Sequence, residues 1–182
     1  KTPNHRPQMA TVRPRSTRPA PVQEGRSGVL ERLAAPKELL ASRMTRVDFL
    51  PSNEQHSLQD ADVVVTAGRG IKKADNLPVV QALAESLDAA LGATRDVVDR
   101  GWLTYPHQVG LSGKTVTSKL YVALGVSGAI QHLAGMQTAE HILAVNSDPD
   151  AQIFRVAELG IVGNLFEVAP VLAKKIQAAK AM

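Results

Sequence analysis

From His107 to His132 the chain reads HQVGLSGKTVTSKLYVALGVSGAIQH, and this stretch constrains the fold more than any other. It joins a Gly-rich loop, a strongly apolar run, a second Gly-containing turn and a helix start. Leu120 to Leu124 has the length and β-rich content of a buried strand. Gly125 to Gly128 turns the chain, and Ala129 to His132 predicts the first turn of a helix. Such a helix start aims free backbone N–H groups and its positive dipole end at the space above the sheet edge. That is an environment for an anion, with pyrophosphate the usual occupant.

Two familiar nucleotide patterns lie close by, and both fail. Gly113-Lys114-Thr115 looks like the end of a P-loop, but that motif needs Gly where this chain has Gln108. It also needs a helix to follow, whereas Val116-Thr117-Ser118-Lys119 is a poor helix opening. The G-x-G-x-x-G fingerprint fails too, because Gly68-Arg69-Gly70 is followed by Ile71, Lys72 and Lys73 with no third glycine. A dinucleotide would have to be held by another arrangement.

At 182 residues the chain has room for one ordinary domain and an extension. Aromatic residues make up only 3%, so the core must be built from Val, Leu, Ile and Ala. The absence of cysteine excludes disulfides, thiolate metal sites and cysteine nucleophiles. No apolar run approaches the length of a membrane span. Charge is uneven: residues 1–46 hold ten Lys/Arg against three Asp/Glu, and the remainder eleven against fourteen. The basic character therefore belongs to the first quarter, which has no interleaved aromatics and no nucleic-acid-binding module. It is read as a solvated segment, with no nucleic-acid partner.

Taken in order, the first 21 residues are rich in Pro and Arg. Met9 to Arg13 is expected as a short strand that Pro14, Pro19 and Pro21 prevent from continuing. The chain starts without Met and is read as a fragment, so a missing targeting signal carries no weight. Residues from Gly25 to Gln59 look linker-like, with an edge strand expected over Arg43–Leu50. The compact domain begins near Ala61. Strands are expected over Asp62–Thr66, Ala89–Ala93, Leu120–Leu124, Glu140–Asn146 and Leu159–Gly163. Helical spacing runs from Asn76 to Ala90, with Val79, Val80, Leu83, Leu87 and Leu91 on one face. Asp75 or Asn76 is the expected cap and Pro78 fits the first turn. Asp96–Arg100 predicts a helical turn, Ala151–Ala157 a short helix, and Leu165 to about Ala179 a closing amphipathic helix. Trp102 and Tyr105 are read as packing in a covering loop.

Short apolar strands alternating with helices predict an α/β fold, a Rossmann-like parallel sheet with helices on both faces. In such folds ligands sit outside the carboxyl ends of the strands. There the chain collects Gly68-Arg69-Gly70, Thr94-Arg95, Ser127-Gly128, Asn146 and Gly163-Asn164.

Those motifs carry a resemblance. Val64–Ile71, Gly92–Arg95, Gln108–Thr115, Gly125–His132 and Ala144–Asn146 closely resemble the α subunit of electron transfer flavoprotein, in unbroken order from about Asp60 to Ile176. Thr11–Pro14 look like the end of that family's N-terminal domain. The resemblance implies three parts: residues 1–21 as the residual strand of a truncated N-terminal domain, 22–59 as linker and edge segment, and 60–182 as the FAD-binding domain. That domain is of the Rossmann-like type also seen in deoxyhypusine synthase.

The resemblance implies FAD as cofactor, a heterodimer with an electron transfer flavoprotein β subunit, and an electron carrier rather than an enzyme. Acyl-CoA or other dehydrogenases are the implied donors and a quinone oxidoreductase the implied acceptor, with no membrane insertion. The implied setting is a bacterial cytoplasm or a mitochondrial matrix. Carried over by motif, Arg69 lies near the isoalloxazine, and Thr94 and Arg95 face the flavin or its diphosphate. Gln108, Val109, Gly110, Leu111 and Ser112 wrap the flavin, with Ser112 placed to hydrogen-bond N5. Ser127, Gly128, Ala129, Ile130 and Gln131 supply donors, and His132 sits near the pyrimidine end. Asn146, Asn164 and Leu165 fall on the adenosine side. This chain has Thr94, Leu111 and Ser112 where the family often has Ser, Gln and Thr, and Asn164 where an Asp is common. Ser112 keeps the hydroxyl; Leu111 loses a polar contact.

The chemistry suits these residue types. A reduced flavin carries negative charge toward N1 and O2, and cationic groups or fixed donors favour it. Each residue also has a plainer reading: Arg69 as the partner of an acid, His132 as a satisfied core histidine, His141 as structural, and His5, His56 and His107 as surface or loop residues. Asp148 and Asp150 form a turn and no metal site is expected. Two other readings share the sheet. One is an NAD-dependent enzyme resembling deoxyhypusine synthase, with Lys114 as nucleophile. The other is the α subunit of a bifurcating flavoprotein.

Overall fold

The computed structural model describes residues 4, 6–11, 20–49 and 58–181. The chain divides into two units, residues 19–55 and the remainder. In the first, the described residues are exposed throughout and hold one 3-10 turn, Lys37–Leu40. Its contacts are local, such as the Arg46 guanidinium 5.9 Å from the centre of the Phe49 ring. The edge strand expected over Arg43–Leu50 does not form: residues 43–49 carry no ladder, and position 50 lies outside the described residues. Alternating side chains alone do not make a strand without a neighbour to take up the backbone N–H and C=O groups. In the other unit, residues 9–11 are likewise not strand, and Val12 and Arg13 lie outside the described residues.

The larger unit is built on five parallel strands: β1 Val63–Ala67, β2 Ala90–Ala93, β3 Leu120–Leu124, β4 His141–Asn146 and β5 Leu159–Val162. Their spatial order is β2-β1-β3-β4-β5. The chain leaves β1 toward one edge and returns to place β3 on its other side, so the order reverses between β1 and β3. That reversal opens a crevice at the carboxyl ends of those two strands, the usual ligand position in open α/β sheets.

Two long helices cover one face. α1, Leu77–Leu87, buries Leu77, Val80, Leu83 and Ala84 at helical spacing. α4, Leu165–Lys180, buries Leu165, Ala169 and Ala173. Both pack over Val65, Ala67, Val122, Leu124 and Val145. Asp88 adopts the left-handed conformation (φ 54°) and its N–H closes on the carbonyls of Ala84 and Glu85, which stops α1 at Leu87. Leu91, expected on this helix, therefore stands in β2, though it packs against the same apolar cluster.

The opposite face carries Val64, Tyr121, Ala123, Ile142 and Ala144. It is covered by less regular chain: Val109, Val116, Val126, Met136, Ala139, Ala151 and Ile153. The two remaining helices are short, α2 Arg95–Asp99 and α3 Ile130–Leu133. The helix expected over Ala151–Ala157 contracts to a 3-10 turn, Gln152–Arg155. Helices thus meet both faces, but the long ones share one side and leave loops to close the other.

Candidate functional site

Glycines let the strand ends approach at the β1/β3 reversal. The Gly68 N–H donates to the Leu124 carbonyl (2.8 Å) and the Gly70 N–H to the Gly125 carbonyl (2.9 Å). A Cβ on Gly70 would stand 2.6 Å from the Gly125 Cα. Gly125 has φ +63°, and a Cβ there would meet the Gly70 Cα at 2.7 Å and Leu165 Cδ2 at 2.9 Å. Side chains are excluded on both sides of this contact. The Asn146 side-chain amide fixes the turn that follows by donating to the Val126 carbonyl at 2.8 Å.

Above these ends lies a cleft of about 620 Å³, within the size range of small-molecule sites. Four segments wall it. The first is Arg69, just past the end of β1, and the second is Thr94, Arg95, Asp96 and Asp99 from the end of β2 and from α2. The third is the loop Gln108–Ser112, and the fourth is Val126–Ala129 with Gln131 and His132. The Gln108–Ser112 loop is closed on itself and strapped to its neighbours. The Val109 N–H donates to the Ala93 carbonyl (2.9 Å), Leu111 N–H to the Gln131 carbonyl (2.7 Å) and Lys114 N–H to the Gln108 carbonyl (2.7 Å). His107 Nδ1 lies 2.9 Å from the Leu91 carbonyl and ties the loop to β2.

His132 is buried and both ring nitrogens are engaged: Nδ1 lies 3.1 Å from the Val109 carbonyl and Nε2 3.0 Å from the Tyr121 hydroxyl. Burial lowers its pKa to about 4, an effect that the hydrogen bond to Val109 only partly opposes. The imidazole is therefore neutral at neutral pH, and the fixed positive charges on the cleft wall are Arg69 and Arg95. Tyr121 is buried too, and loss of solvent raises its pKa. His132 is at once a satisfied buried histidine and a cleft-wall residue.

The expected site residues separate into two groups. Arg69, Thr94, Arg95, Gln108, Val109, Gly110, Leu111, Ser112, Ser127, Gly128, Ala129, Gln131 and His132 come together on the cleft. Ile130, Asn146, Asn164 and Leu165 are not on its wall. Ile130 faces solvent, and Leu165, the first residue of α4, is buried in the core. Asn164 caps α4, its Oδ1 accepting from the Phe166 N–H (3.1 Å) and its amide donating to Glu167 (2.9 Å). Lys114 is likewise not among the lining residues. Asp96, Asp99 and Val126 line the cleft without having been expected there. The two acids were legible as i,i+4 partners of basic residues: Arg95 Nε lies 3.2 Å from Asp99 and Arg100 Nε 2.9 Å from Asp96. The Arg100 guanidinium also sits 5.5 Å from the centre of the Trp102 ring.

The donor set fits a flat, acceptor-rich heterocycle joined to an anionic chain. Thr94 Oγ1 is buried at the cleft wall and forms no hydrogen bond among the described residues. The Ser112 hydroxyl receives the Gln108 amide at 3.0 Å, which leaves its proton for another acceptor. Arg69 and Arg95 both line the cleft, and the lining acids Asp96 and Asp99 are each paired with an arginine. Among the described residues no group of His, Asp and Glu is arranged to hold a metal ion, and no helix is long and apolar enough to cross a membrane.

Comparison with known proteins agrees with this chemistry. Residues 57–137 match the family model described as the electron transfer flavoprotein FAD-binding domain. The electron transfer flavoprotein subunit alpha of Thermoanaerobacterium thermosaccharolyticum is 44% identical over 182 residues, covering 99% of this chain and 55% of that protein. The Mycobacterium leprae subunit alpha is 46% identical over 172 residues, 94% of this chain and 54% of the relative. A mitochondrial subunit alpha from Oryza sativa subsp. japonica is 56% identical over 123 residues, 68% of this chain and 34% of the relative. The chain spans about half the length of the first two. With that similarity running along nearly all of its residues, the chain belongs to the electron transfer flavoprotein α-subunit family and carries that family's FAD-binding domain.

Proposed function

We propose that this chain holds FAD across the carboxyl ends of β1, β2 and β3 and works as part of an electron carrier. In this reading it pairs with a β subunit, receives electrons from dehydrogenases of the acyl-CoA type and passes them to an acceptor such as a quinone oxidoreductase. The setting is a bacterial cytoplasm or a mitochondrial matrix, in line with relatives of both kinds. The observation that carries the reading is the convergence of thirteen expected residues from four separate segments on one cleft at the sheet's reversal point.

The chemistry that FAD supplies when bound is reversible uptake of electrons by its ring system. The chain's part is to hold and to tune. Arg69 and Arg95 place permanent positive charge at the cleft, which favours the electron-rich form of a bound ring. Arg95 is held at its Nε by Asp99, so its terminal NH₂ groups are the ones turned to a ligand. Ser112 and Thr94 supply hydroxyl donors. The backbone of Ser127–Ala129 and Gln131 supplies fixed polar groups that need no reorganisation as charge develops. His132, neutral and held from both sides, shapes the wall without adding charge. Asn146, Asn164 and Leu165 act on the adenosine side through the positions they give to the Val126 turn and to the start of α4.

The test is reconstitution. The chain is mixed with FAD and an electron transfer flavoprotein β subunit, desalted, and read by its visible spectrum. A yellow complex with about one FAD per chain pair is expected; protein that emerges colourless overturns the proposal.

A further inference from the structure

We infer that Gln108 is a positioning residue which fixes the Ser112 hydroxyl as an obligate hydrogen-bond donor to the ring held in the cleft. The inference rests on the proposed flavin site and on Ser112 facing ring atom N5. A serine hydroxyl has one proton and two lone pairs. Gln108 Nε2 donates to Ser112 Oγ at 3.0 Å and so occupies a lone pair. The proton then has no reason to point back at Gln108, and Ser112 makes no other side-chain hydrogen bond among the described residues. It is left for an acceptor in the cleft.

Gln108 is suited to this because little about it can move. It is 4% exposed. Its N–H donates to the Tyr105 carbonyl (2.9 Å) and its carbonyl accepts from the Lys114 N–H (2.7 Å). Its own Cγ lies where a Cβ on Gly113 would come within 2.9 Å, so the loop is drawn tight around the side chain. Ser112 is held from a second direction as well, by the Tyr105 hydroxyl donating to its carbonyl at 3.0 Å. Ser112 is exposed on the open cleft, and on a free loop its hydroxyl would turn among waters. The hold from Gln108 and Tyr105 fixes the position of its oxygen, the pre-organisation that makes a hydrogen bond effective at a developing charge.

The test compares FAD with 5-deaza-FAD, in which the N5 acceptor is replaced by a C–H group, in the complex with the β subunit. Affinities are measured for the wild type, Ser112→Ala, Gln108→Met, Gln108→Glu and the double variant Gln108→Met/Ser112→Ala. The wild type should prefer FAD to 5-deaza-FAD by about tenfold, the worth of one hydrogen bond. Ser112→Ala should abolish that preference. Gln108→Met should reduce it several-fold. Gln108→Glu, a near-isosteric acceptor that takes the Ser112 proton for itself, should abolish it. The double variant should match Ser112→Ala alone. Should the wild type and Ser112→Ala discriminate equally, the contact between Ser112 and N5 is wrong and the inference falls with it. Should Ser112→Ala lose the preference while Gln108→Met and Gln108→Glu keep it, the flavin site stands and the role of Gln108 is overturned. An equal effect of Gln108→Met with and without the serine hydroxyl overturns it too, because Gln108 then acts directly. Thermal melting of each complex separates these outcomes from loss of fold, and Gln108→Glu changes shape least.

Discussion

The Tyr121 hydroxyl lies 3.0 Å from Nε2 of His132, while Nδ1 of the same ring faces the Val109 carbonyl at 3.1 Å. A carbonyl oxygen only accepts, so Nδ1 carries the proton and Nε2 accepts from the tyrosine. A strand residue of β3, a helix residue of α3 and the cleft loop are joined through one imidazole.

Removing the hydroxyl by Tyr121→Phe leaves a buried nitrogen without a donor. The expected loss of stability is about 1–3 kcal/mol, read as a lower urea midpoint at unchanged slope. A midpoint equal to the wild type would mean that Nε2 is satisfied elsewhere.

The pH dependence has a definite sign. His132 binds its proton near 6.5 when unfolded and near 4 when folded. Between those values the unfolded chain holds more protons, so this contribution is complete above pH 6.5 and is lost as the pH falls toward 4. The drop corresponds to about 3 kcal/mol. Urea unfolding at a series of pH values should show the wild type losing stability across this window faster than His132→Gln. Parallel curves would contradict a histidine buried in the neutral form.

Gly125→Ala should be among the most damaging small substitutions. It forces a Cβ onto a residue with φ +63° and brings it to 2.7 Å from the Gly70 Cα and 2.9 Å from Leu165. Gly128→Ala, at φ +86° with the Ile153 Cα 2.7 Å away, should behave alike. Each is expected to cost more than about 2 kcal/mol, measured by thermal or urea unfolding.

Arg95→Ala should weaken FAD retention by about tenfold, the worth of one charge-assisted hydrogen bond, as measured by flavin fluorescence on dilution. Stability should change by less than about 0.5 kcal/mol, because its pair with Asp99 is exposed. A large loss of stability with full flavin retention would assign Arg95 to the fold instead.

Asn164→Ala should remove the cap of α4 at a cost of about 1 kcal/mol. Asn164→Asp keeps the oxygen that accepts from Phe166 and should retain most of that stability. Equal losses in the two variants would place the weight on the amide bond to Glu167.

The strands were legible because a buried parallel strand is a short unbroken apolar run whatever surrounds it. All five strands of the larger unit lie within two residues of where the sequence puts them. The residues 43–49 misled because alternation is only half of the requirement; the other half is a partner strand. The end of α1 was misplaced because a left-handed cap was formed by Asp88 rather than by glycine.

By itself, the sequence determined the parallel α/β sheet and the set of Gly-rich, basic and hydroxyl-bearing strand ends, because apolar runs and turn residues act locally along the chain. It also determined the family, through several motifs held at matching spacing. Tertiary structure decided which of those ends share a cleft. Asn146 and Asn164 stand at strand ends like Arg69 and Thr94, yet the order β2-β1-β3-β4-β5 gathers the first three ends and turns Asn146 and Asn164 to the turn and cap they hold. It also decided the state of His132, since a charge depends on desolvation and on partners from Tyr121 and Val109, which lie 11 and 23 residues away along the chain.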